Sequence, residues 1–329
     1  MLYLVTGGSG SGKSEYAEKV ICELCENAGG GKKIYIATMI PYGEETRQKI
    51  ERHRMMRAKK MFETEECYMD LSGFSDRCMK SMEEPTYVLL ECMSNLIANE
   101  LFESDGTGEN TFLAVTEGLQ KLMDCCRDIV VVTNEVCSES GEDSAEMQRY
   151  KQILAAVNCW MAERAEKVVE VVYGTPLVLR LGKKMLRTED RSAGMKLIIG
   201  GAFQGKRAYV EEQYPGIRWV DGETCDMEAI FSCEGLLHFE EYVKRLLKKE
   251  QKENLAEQIL TRNPSIVIVG NEIGYGLVPI DPFERYYREQ YGRICTALAQ
   301  KAEQVVRVVC GIGISIKVKR QKEETEDAD

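Results

Sequence analysis

Residues 2–14 read LYLVTGGSGSGKS, an apolar strand that runs into the pattern Gly7-x4-Gly12-Lys13-Ser14. Glycines let backbone amides close around phosphate oxygens, and a helix beginning after the loop adds its positive end. The lysine supplies charge, and the serine hydroxyl can bind Mg²⁺. A glycine-rich turn without a ligand is the alternative, but the strand before and the helix after favour a phosphate-binding loop. The predicted loop residues are Gly7, Gly8, Ser9, Gly10, Ser11, Gly12, Lys13 and Ser14.

The same stretch recurs in damaged form at residues 196–207, KLIIGGAFQGKR, where Arg207 takes the place of Ser14. Later elements recur 137 positions apart: Asn134-Glu135 with Asn271-Glu272, Ala165-Glu166 with Ala302-Glu303, and Gly174 with Gly311. The loop lysines, Lys13 and Lys206, are 193 positions apart. The second copy is therefore 56 residues shorter (193 minus 137) between its loop and its Asn-Glu element. Two copies at a fixed offset predict two tandem related units rather than a solenoid.

Length and composition set the broad class. A chain of 329 residues with 44% hydrophobic content can form two domains with their own cores. A formal net charge of −11 argues against broad binding to nucleic acid or anionic membranes, so the expected partners are small molecules. No apolar run approaches the roughly 18 residues of a membrane span, and no signal peptide is evident, so we expect a cytoplasmic protein. Cys22 and Cys25 form a C-x-x-C without partners for a zinc site, which favours reduced thiols.

Apolar runs of strand length alternate with helical segments in the first copy. The runs are residues 34–37, 87–92, 129–132 and 168–172. Uninterrupted apolar strands are typical of a parallel sheet covered on both faces, so we predict an α/β fold. The predicted organisation is a first domain at 1–180, a polar linker at 181–195, a shortened second copy at 196–319 and a disordered tail at 320–329.

Glu91 ends one of these strands, at the sheet edge where parallel α/β proteins bind ligands. It could hold Mg²⁺ or a substrate hydroxyl, because the glycine loop should lie at the same edge. A solvated carboxylate is the alternative.

The chain has two histidines, and His53 lies in a basic segment, RQKIERHRMMR. Neighbouring arginines would attract a triphosphate and, by charge repulsion, hold the imidazole neutral and nucleophilic. On spacing alone, a solvated basic helix face remains the alternative. His238, in an acidic helical pattern, is expected to lie on the surface.

Several motifs together resemble the bifunctional adenosylcobinamide kinase and adenosylcobinamide-phosphate guanylyltransferase family of cobalamin biosynthesis. The matching elements are the opening V-T-G-G-x-x-S-G-K-S, Tyr35-Ile36-Ala37-Thr38, Lys49-Ile50-x-x-His53-Arg54-x-x-Arg57, Glu65, Leu89-Leu90-Glu91-Cys92 and Val132-Thr133-Asn134-Glu135-Val136. They span the whole first copy.

The resemblance implies a P-loop NTPase with a RecA-like, mostly parallel sheet that assembles as a ring-like homo-oligomer. It implies two reactions, phosphorylation of the corrinoid by ATP or GTP and transfer of GMP from GTP through a guanylylated histidine. His53 falls on the guanylylated position, so the implied catalytic residues are His53, Lys13 and Glu91, with Ser14 and Glu91 as metal ligands. The implied nucleotide-contacting residues beyond the loop are Ala37, Thr38, Met39, Arg54, Arg57, Glu65 and Glu91.

The chain also departs from the family pattern. Ala58 and Met61 replace a proline and a tryptophan, and the first copy breaks the glycine-rich segment after Asn134-Glu135. It also ends its last strand in Gly174-Thr175-Pro176 where the family has Gly-Ile-Gly. The second copy keeps that segment, and its predicted binding residues are Asn271, Glu272, Gly274 and Gly276. We therefore hypothesise one composite site built from both copies.

Two other functions remain open at this point. The chain could retain only one of the two activities, or it could be a non-catalytic GTP-binding regulator of the corrinoid pathway. The expected cofactors are GTP, ATP and Mg²⁺.

Overall fold

A buried strand, a glycine loop and a helix open both halves of the chain. The computed structural model describes residues 1–41, 61–78, 84–136, 144–182, 194–249, 254–274, 279 and 281–318. Described residues up to 182 form one unit, and those from 194 onward form a second. The predicted boundaries at 180, 195 and 319 stay predictions.

The first unit contains one seven-stranded sheet in the order β3-β2-β4-β5-β1-β6-β7. Its strands are β1 (Leu2–Thr6), β2 (Lys32–Ala37), β3 (Glu63–Glu66), β4 (Thr86–Glu91), β5 (Asp128–Val132), β6 (Lys167–Val172) and β7 (Thr175–Leu181). Its helices are α1 (Lys13–Asn27), α2 (Leu71–Cys78), α3 (Met93–Phe102), α4 (Thr111–Cys125) and α5 (Ala145–Arg164). Where the structure describes the chain, neighbouring strands of this sheet pair in parallel except β7, which is antiparallel to β6.

The second unit has a six-stranded sheet in the order β13-β12-β8-β11-β10-β9. Its strands are β8 (Lys196–Gly200), β9 (Trp219–Asp221), β10 (Gly235–Leu237), β11 (Val267–Asn271), β12 (Gln304–Val309) and β13 (Ile312–Val318). Its helices are α6 (Lys206–Gln213), α7 (Phe239–Lys248), α8 (Leu255–Arg262) and α9 (Pro282–Lys301). Among the described strands of this unit, only β13 pairs antiparallel. The predicted α/β fold with a mostly parallel sheet in two related units is confirmed.

The central strands form because their side chains are apolar on both faces, and helices cover them. In the first unit, Ala17, Ile21 and Cys25 of α1 pack into one cluster with Val5 and Val130 of the sheet. Each fully buried aliphatic side chain contributes about 1.5–3 kcal/mol to stability. In the second unit, α6 covers the corresponding face of β8 and β11, and a larger cluster lies under α7, α8 and α9.

Strand register aligns the two units residue by residue. Val5 pairs with Val132 in the first unit, and Ile198 pairs with Val269 in the second. Ile198 stands 193 positions after Val5, and Val269 stands 137 positions after Val132, so the strand pairing has the same two offsets as the sequence repeat. In the order of the sheets, β2-β4-β5-β1-β6-β7 corresponds to β9-β10-β11-β8-β12-β13, and β3 has no counterpart among the described residues. The 56-residue difference therefore includes the region of β3.

Strand register also identifies the residue of the second unit that corresponds to Glu91. Leu90 pairs with Val131 on β5, and Leu236 pairs with Ile268, which stands 137 positions after Val131. Leu237 of the second unit therefore occupies the position of Glu91, and His238 that of Cys92.

Replacing Gly118 by alanine tests the packing of α4 on α2. A Cβ at Gly118 would lie 2.8 Å from Leu71 Cβ and 2.9 Å from the backbone nitrogen of Ser72. We expect the free energy of unfolding, measured in urea, to fall by about 1–3 kcal/mol. Gly292→Ala is the matched control: this glycine is exposed in α9, and a Cβ there meets nothing within 4 Å. The control should raise stability by about 0.5–1 kcal/mol through helix propensity. Equal effects of the two changes would contradict this packing.

Candidate active site

The loop at residues 7–12 connects β1 to α1 in the first unit. Gly7 has φ of 152°, and a Cβ there would lie 2.5 Å from the carbonyl oxygen of Val171, so β6 allows no side chain at this position. Gly12 stands before the first residue of α1 with φ of 87°. The loop thus leads directly into a helix N-terminus, a site that favours anions.

Lys13 is the first residue of α1, and its side chain is only 7% exposed. Its ammonium donates a hydrogen bond to the carbonyl oxygen of Gly8 at 2.8 Å, which bends the side chain over the loop. The hydroxyl of Ser11 is buried and has no hydrogen-bond partner among the described residues. The loop therefore holds a buried positive charge and an available hydroxyl beside the helix N-terminus.

Ser14 and Glu91 meet at the carboxyl edge of the sheet. The Ser14 hydroxyl donates to the Oε1 atom of Glu91, the last residue of β4. One strand, β5, lies between β4 and β1. A hydroxyl and a carboxylate oxygen are ligands that Mg²⁺ prefers, so this pair fits the predicted metal ligands.

Thr38 holds the backbone next to Glu91. Its hydroxyl accepts from the Cys92 N–H at 2.7 Å and donates to the Cys92 carbonyl at 2.8 Å. Its own N–H donates to the Glu91 carbonyl at 3.1 Å. The Asn99 amide donates to the Thr38 carbonyl at 2.8 Å. Thr38 is fully buried, so its side chain fixes the strand end that carries the carboxylate.

Thr38→Val should therefore change the position of the Glu91 carboxylate. Valine can neither accept from nor donate to Cys92, and we expect the free energy of unfolding to fall by about 1–3 kcal/mol. We also expect a higher Mg²⁺ concentration for half-maximal Mg²⁺ binding. Thr38→Ser keeps the hydroxyl and is the control. If both variants have the same Mg²⁺ dependence, Thr38 does not position the carboxylate.

Asn134 and Glu135 follow β5 at the same edge. The Asn134 amide donates to the Ser94 hydroxyl at 2.7 Å, and the Glu135 N–H donates to the Gly7 carbonyl at 3.0 Å. The second bond connects this segment to the start of the phosphate loop.

The second loop has the same backbone but different side chains. A Cβ at Gly200 would lie 2.4 Å from the Val308 carbonyl, and the Glu272 N–H donates to the Gly200 carbonyl at 3.0 Å. Lys206 donates to Asn271 Oδ1 at 2.5 Å. Arg207 instead lies outside the loop and pairs with Glu211 at 2.9 Å.

The edge of the second sheet also gathers Asp221, Glu223 and His238, whose ligand atoms lie within 4.8 Å of one another. This trio could hold a metal ion, although two of its members are exposed. The His238 Nδ1 lies 2.9 Å from Asp221 Oδ1. Burial acts to raise the pKa of the Asp221 carboxyl, but the hydrogen bonds from His238 and the Glu223 N–H outweigh it and lower that pKa. His238 precedes α7 rather than lying within it.

Sequence comparison covers both units. A model of the family described as "Cobinamide kinase / cobinamide phosphate guanyltransferase" matches residues 3–179 and 229–316. The chain belongs to this family. The second loop, residues 200–205, lies between the two matched segments.

Two curated relatives support membership in the kinase and guanyltransferase family. The bifunctional adenosylcobalamin biosynthesis protein CobU of Escherichia coli (strain K12) is 30% identical over 185 residues, which cover 53% of this chain and 97% of the relative. The protein of the same name from Salmonella typhimurium is 28% identical over the same shares.

The solved structures that resemble this chain are more distant. A KaiC-like protein from Pyrococcus horikoshii OT3 has a TM-score of 0.32 and 13% identity, covering 51% of this chain and 69% of its own. The flagellar accessory protein FlaH from Methanocaldococcus jannaschii has a TM-score of 0.30 and 14% identity, covering 55% and 78%.

The structure brings several predicted family residues to one edge of the first sheet. Ala37 pairs with Glu91, and Glu65 lies on the neighbouring strand opposite Ile36. Thr38 and Met39 follow directly after β2. His53, Arg54, Arg57 and Gly276 lie outside the described residues.

Three contributors near this site were missed by the sequence analysis. They are Ser94, Asn99 and the Gly174 N–H, which donates to the Ser11 carbonyl at 2.7 Å. Gly174 was noted as part of the repeat and as the start of Gly174-Thr175-Pro176, but neither pattern predicted its bond to the loop. In the part of the chain that the structure describes, no helix is both long and apolar enough to cross a membrane.

Proposed function

We propose that the first unit phosphorylates cobinamide or adenosylcobinamide and then transfers GMP from GTP onto the phosphate. The family is named for these two reactions, and its members use nucleotide substrates. The observation that carries the proposal is the cluster of Lys13, Ser14 and Glu91, built on a phosphate loop within the longer matched segment.

In the kinase step, a hydroxyl of the corrinoid attacks the γ-phosphorus and its proton passes to water. The bond between the γ-phosphorus and the β–γ bridging oxygen breaks, and the nucleoside diphosphate leaves with that electron pair. Lys13 and the amides at the start of α1 neutralise phosphate charge, since phosphoryl transfer depends chiefly on positioning and charge stabilisation. Ser14 and Glu91 would hold Mg²⁺, which would supply positive charge to balance the negative charge of the phosphates. Either ATP or GTP is the proposed donor.

In the transfer step, the resemblance assigns His53 as the nucleophile. Its imidazole nitrogen attacks the α-phosphorus of GTP and pyrophosphate leaves. An oxygen of the corrinoid phosphate then attacks the same phosphorus, releases the histidine and forms the GDP-linked corrinoid.

Turnover of cobinamide and adenosylcobinamide with GTP and Mg²⁺, followed by mass analysis of the corrinoid, tests the proposal. The expected products are the corrinoid phosphate and the GDP-linked corrinoid. The phosphate alone would mean that only the kinase activity is retained. Reversible GTP binding without either product would favour a nucleotide-binding regulator.

The contribution of Asn271, Glu272, Gly274 and Gly276 to the first unit's site also stays a proposal. Inside the second unit, Asn271 already contacts Lys206 and Glu240, and Glu272 pairs with Arg307 at 3.2 Å. Asn271→Ala separates the two roles. In a composite site it lowers guanylyl transfer more than stability, whereas a role confined to the second unit lowers stability alone.

Homo-oligomer formation belongs to the same proposal and rests on the sequence resemblance alone. A corrinoid partner belongs to it too, because the family description names cobinamide. Sedimentation of the full chain with and without GTP would measure the number of subunits.

A further inference from the structure

We propose that the second loop is filled by the side chains of its own unit, so that Lys206, Asn271 and Glu240 replace nucleotide phosphate and cation there. The second unit then keeps its fold without binding a nucleotide. This inference concerns residues 200–207 and does not depend on the activity proposed for the first unit.

Lys206 has all three of its ammonium donors engaged. Its Nζ donates to Asn271 Oδ1 at 2.5 Å, to the Gly201 carbonyl at 2.6 Å and to the Gly200 carbonyl at 3.2 Å. An ammonium group has three N–H donors. A phosphate oxygen entering this loop would have to displace one of these acceptors.

The acceptor network continues to a buried carboxylate. Asn271 donates its side-chain amide to Glu240 Oε1 at 2.6 Å and its backbone N–H to Oε2 at 2.9 Å. Glu240 is 4% exposed and Lys206 is 8% exposed. The amide therefore bridges two oppositely charged groups that have both left water, and each is costly without the other.

The first unit shows what changed. Its matching bond runs from Asn134 to Ser94. Ser94 is the second residue of α3 and Glu240 is the second residue of α7, so the two residues occupy corresponding positions. A neutral hydroxyl in the first unit is thus matched by a carboxyl group in the second. Burial raises the pKa of the Glu240 carboxyl, while the hydrogen bond from the Asn271 N–H and the charge of Lys206 act to lower it. Both carboxyl oxygens accept hydrogen bonds from Asn271, as those of a carboxylate do. Glu240 supplies, from the protein, negative charge that a nucleotide would otherwise bring to the lysine.

The positions that would hold a cation have changed as well. Arg207 replaces Ser14 and pairs with Glu211 on the helix surface. Leu237 replaces Glu91 and is 6% exposed. A guanidinium and an alkyl side chain offer Mg²⁺ no ligand.

Gln204 holds the second loop in the conformation that its own side chains fill. It stands at the position of Ser11, is 2% exposed, and accepts from the Cys310 N–H at 2.5 Å through Oε1. The Gly311 N–H also donates to the Gln204 carbonyl at 2.9 Å, as Gly174 does to Ser11. The side-chain bond is the addition in the second unit.

Amide hydrogen exchange of the unmodified full chain locates nucleotide binding. The probe is the non-hydrolysable β,γ-imido analogue of GTP with Mg²⁺. At a free concentration ten times its Kd, exchange over residues 7–14 should slow by about tenfold. Exchange over residues 200–207 should not change. Slowing at 200–207 overturns the inference, whereas unchanged exchange at 7–14 overturns the proposed function and leaves this inference standing.

A double-mutant cycle tests the charge network itself. Lys206→Met and Glu240→Gln each leave one buried charge without its counterpart, and each should lower the unfolding midpoint of the second unit by on the order of 10 °C. The double variant removes both charges and should recover most of that loss. Additive losses overturn the network. If a single variant does not fold, folding of the double variant still supports the network, and failure of the double variant to fold overturns it.

Discussion

Replacing Lys13 by methionine is expected to slow corrinoid phosphorylation by roughly 10²- to 10³-fold. Methionine keeps most of the length and volume of the side chain but removes its charge. The lysine is 7% exposed and lies over the loop carbonyl of Gly8, so its charge acts on phosphate in a site largely shielded from water. The rate is measured from corrinoid phosphate formed at saturating GTP and Mg²⁺.

Lys19→Met is the matched control because it makes the same change on the same helix. Lys19 is 72% exposed and pairs on the surface with Glu23. Surface pairs of this kind contribute little, so the control should keep its rate and stability. An unchanged rate for the Lys13 variant would mean that the charge on the loop does not contribute to the kinase step.

Replacing His53 by alanine is expected to abolish covalent labelling of the protein by GTP that carries the label on its α-phosphate. The proposed intermediate is a phosphorus–nitrogen bond to the imidazole, and alanine offers no nucleophile. In unmodified protein, the label should be stable to denaturation and released by acid. Phosphorylation of the corrinoid should persist in the variant, because Lys13, Ser14 and Glu91 are unchanged.

The chain provides its own control for this experiment. It contains only two histidines, and His238 is exposed and bonded to Asp221 in the second unit. His238→Ala should keep the full covalent label. Loss of label in this variant, with retention of label in the His53 variant, would mean that the nucleophile is in the second unit.

The regular parts of the fold were predictable because they depend on local patterns. Uninterrupted apolar runs predict β4, β5 and β6, and the glycine loop predicts the turn from β1 into α1. The repeat predicts a second unit. Its strands β9 and β10 were not predicted, because each has only three residues and carries no periodic signal.

The side chains around Glu91 show why the site was only partly predictable. The loop and the strand-end carboxylate follow from motif and position. The contact between Thr38 and Cys92 joins residues 54 positions apart and depends on β2 lying beside β4. Sequence spacing carries no information on that pairing.

The same reasoning applies to Glu240 in the second unit. It begins the stretch EEYVKRLLK, where a glutamate in the first helical turn indicates an exposed residue. Glu240 is buried beside Asn271, the last residue of β11, whose side-chain amide donates to it. Lys206 in turn donates to the Asn271 side chain. Only the fold brings these three residues together.

The counterparts of Ser14, Glu91 and Ser94 in the second unit have an evolutionary consequence. Arg207→Ser alone would restore a hydroxyl without its carboxylate, and Leu237→Glu alone would place an acid where the present side chain is 6% exposed. Glu240→Ser alone would leave a buried ammonium without its anion. No single reversion rebuilds the set of groups that the first unit places at these positions, so the second unit would regain that set only through several substitutions together.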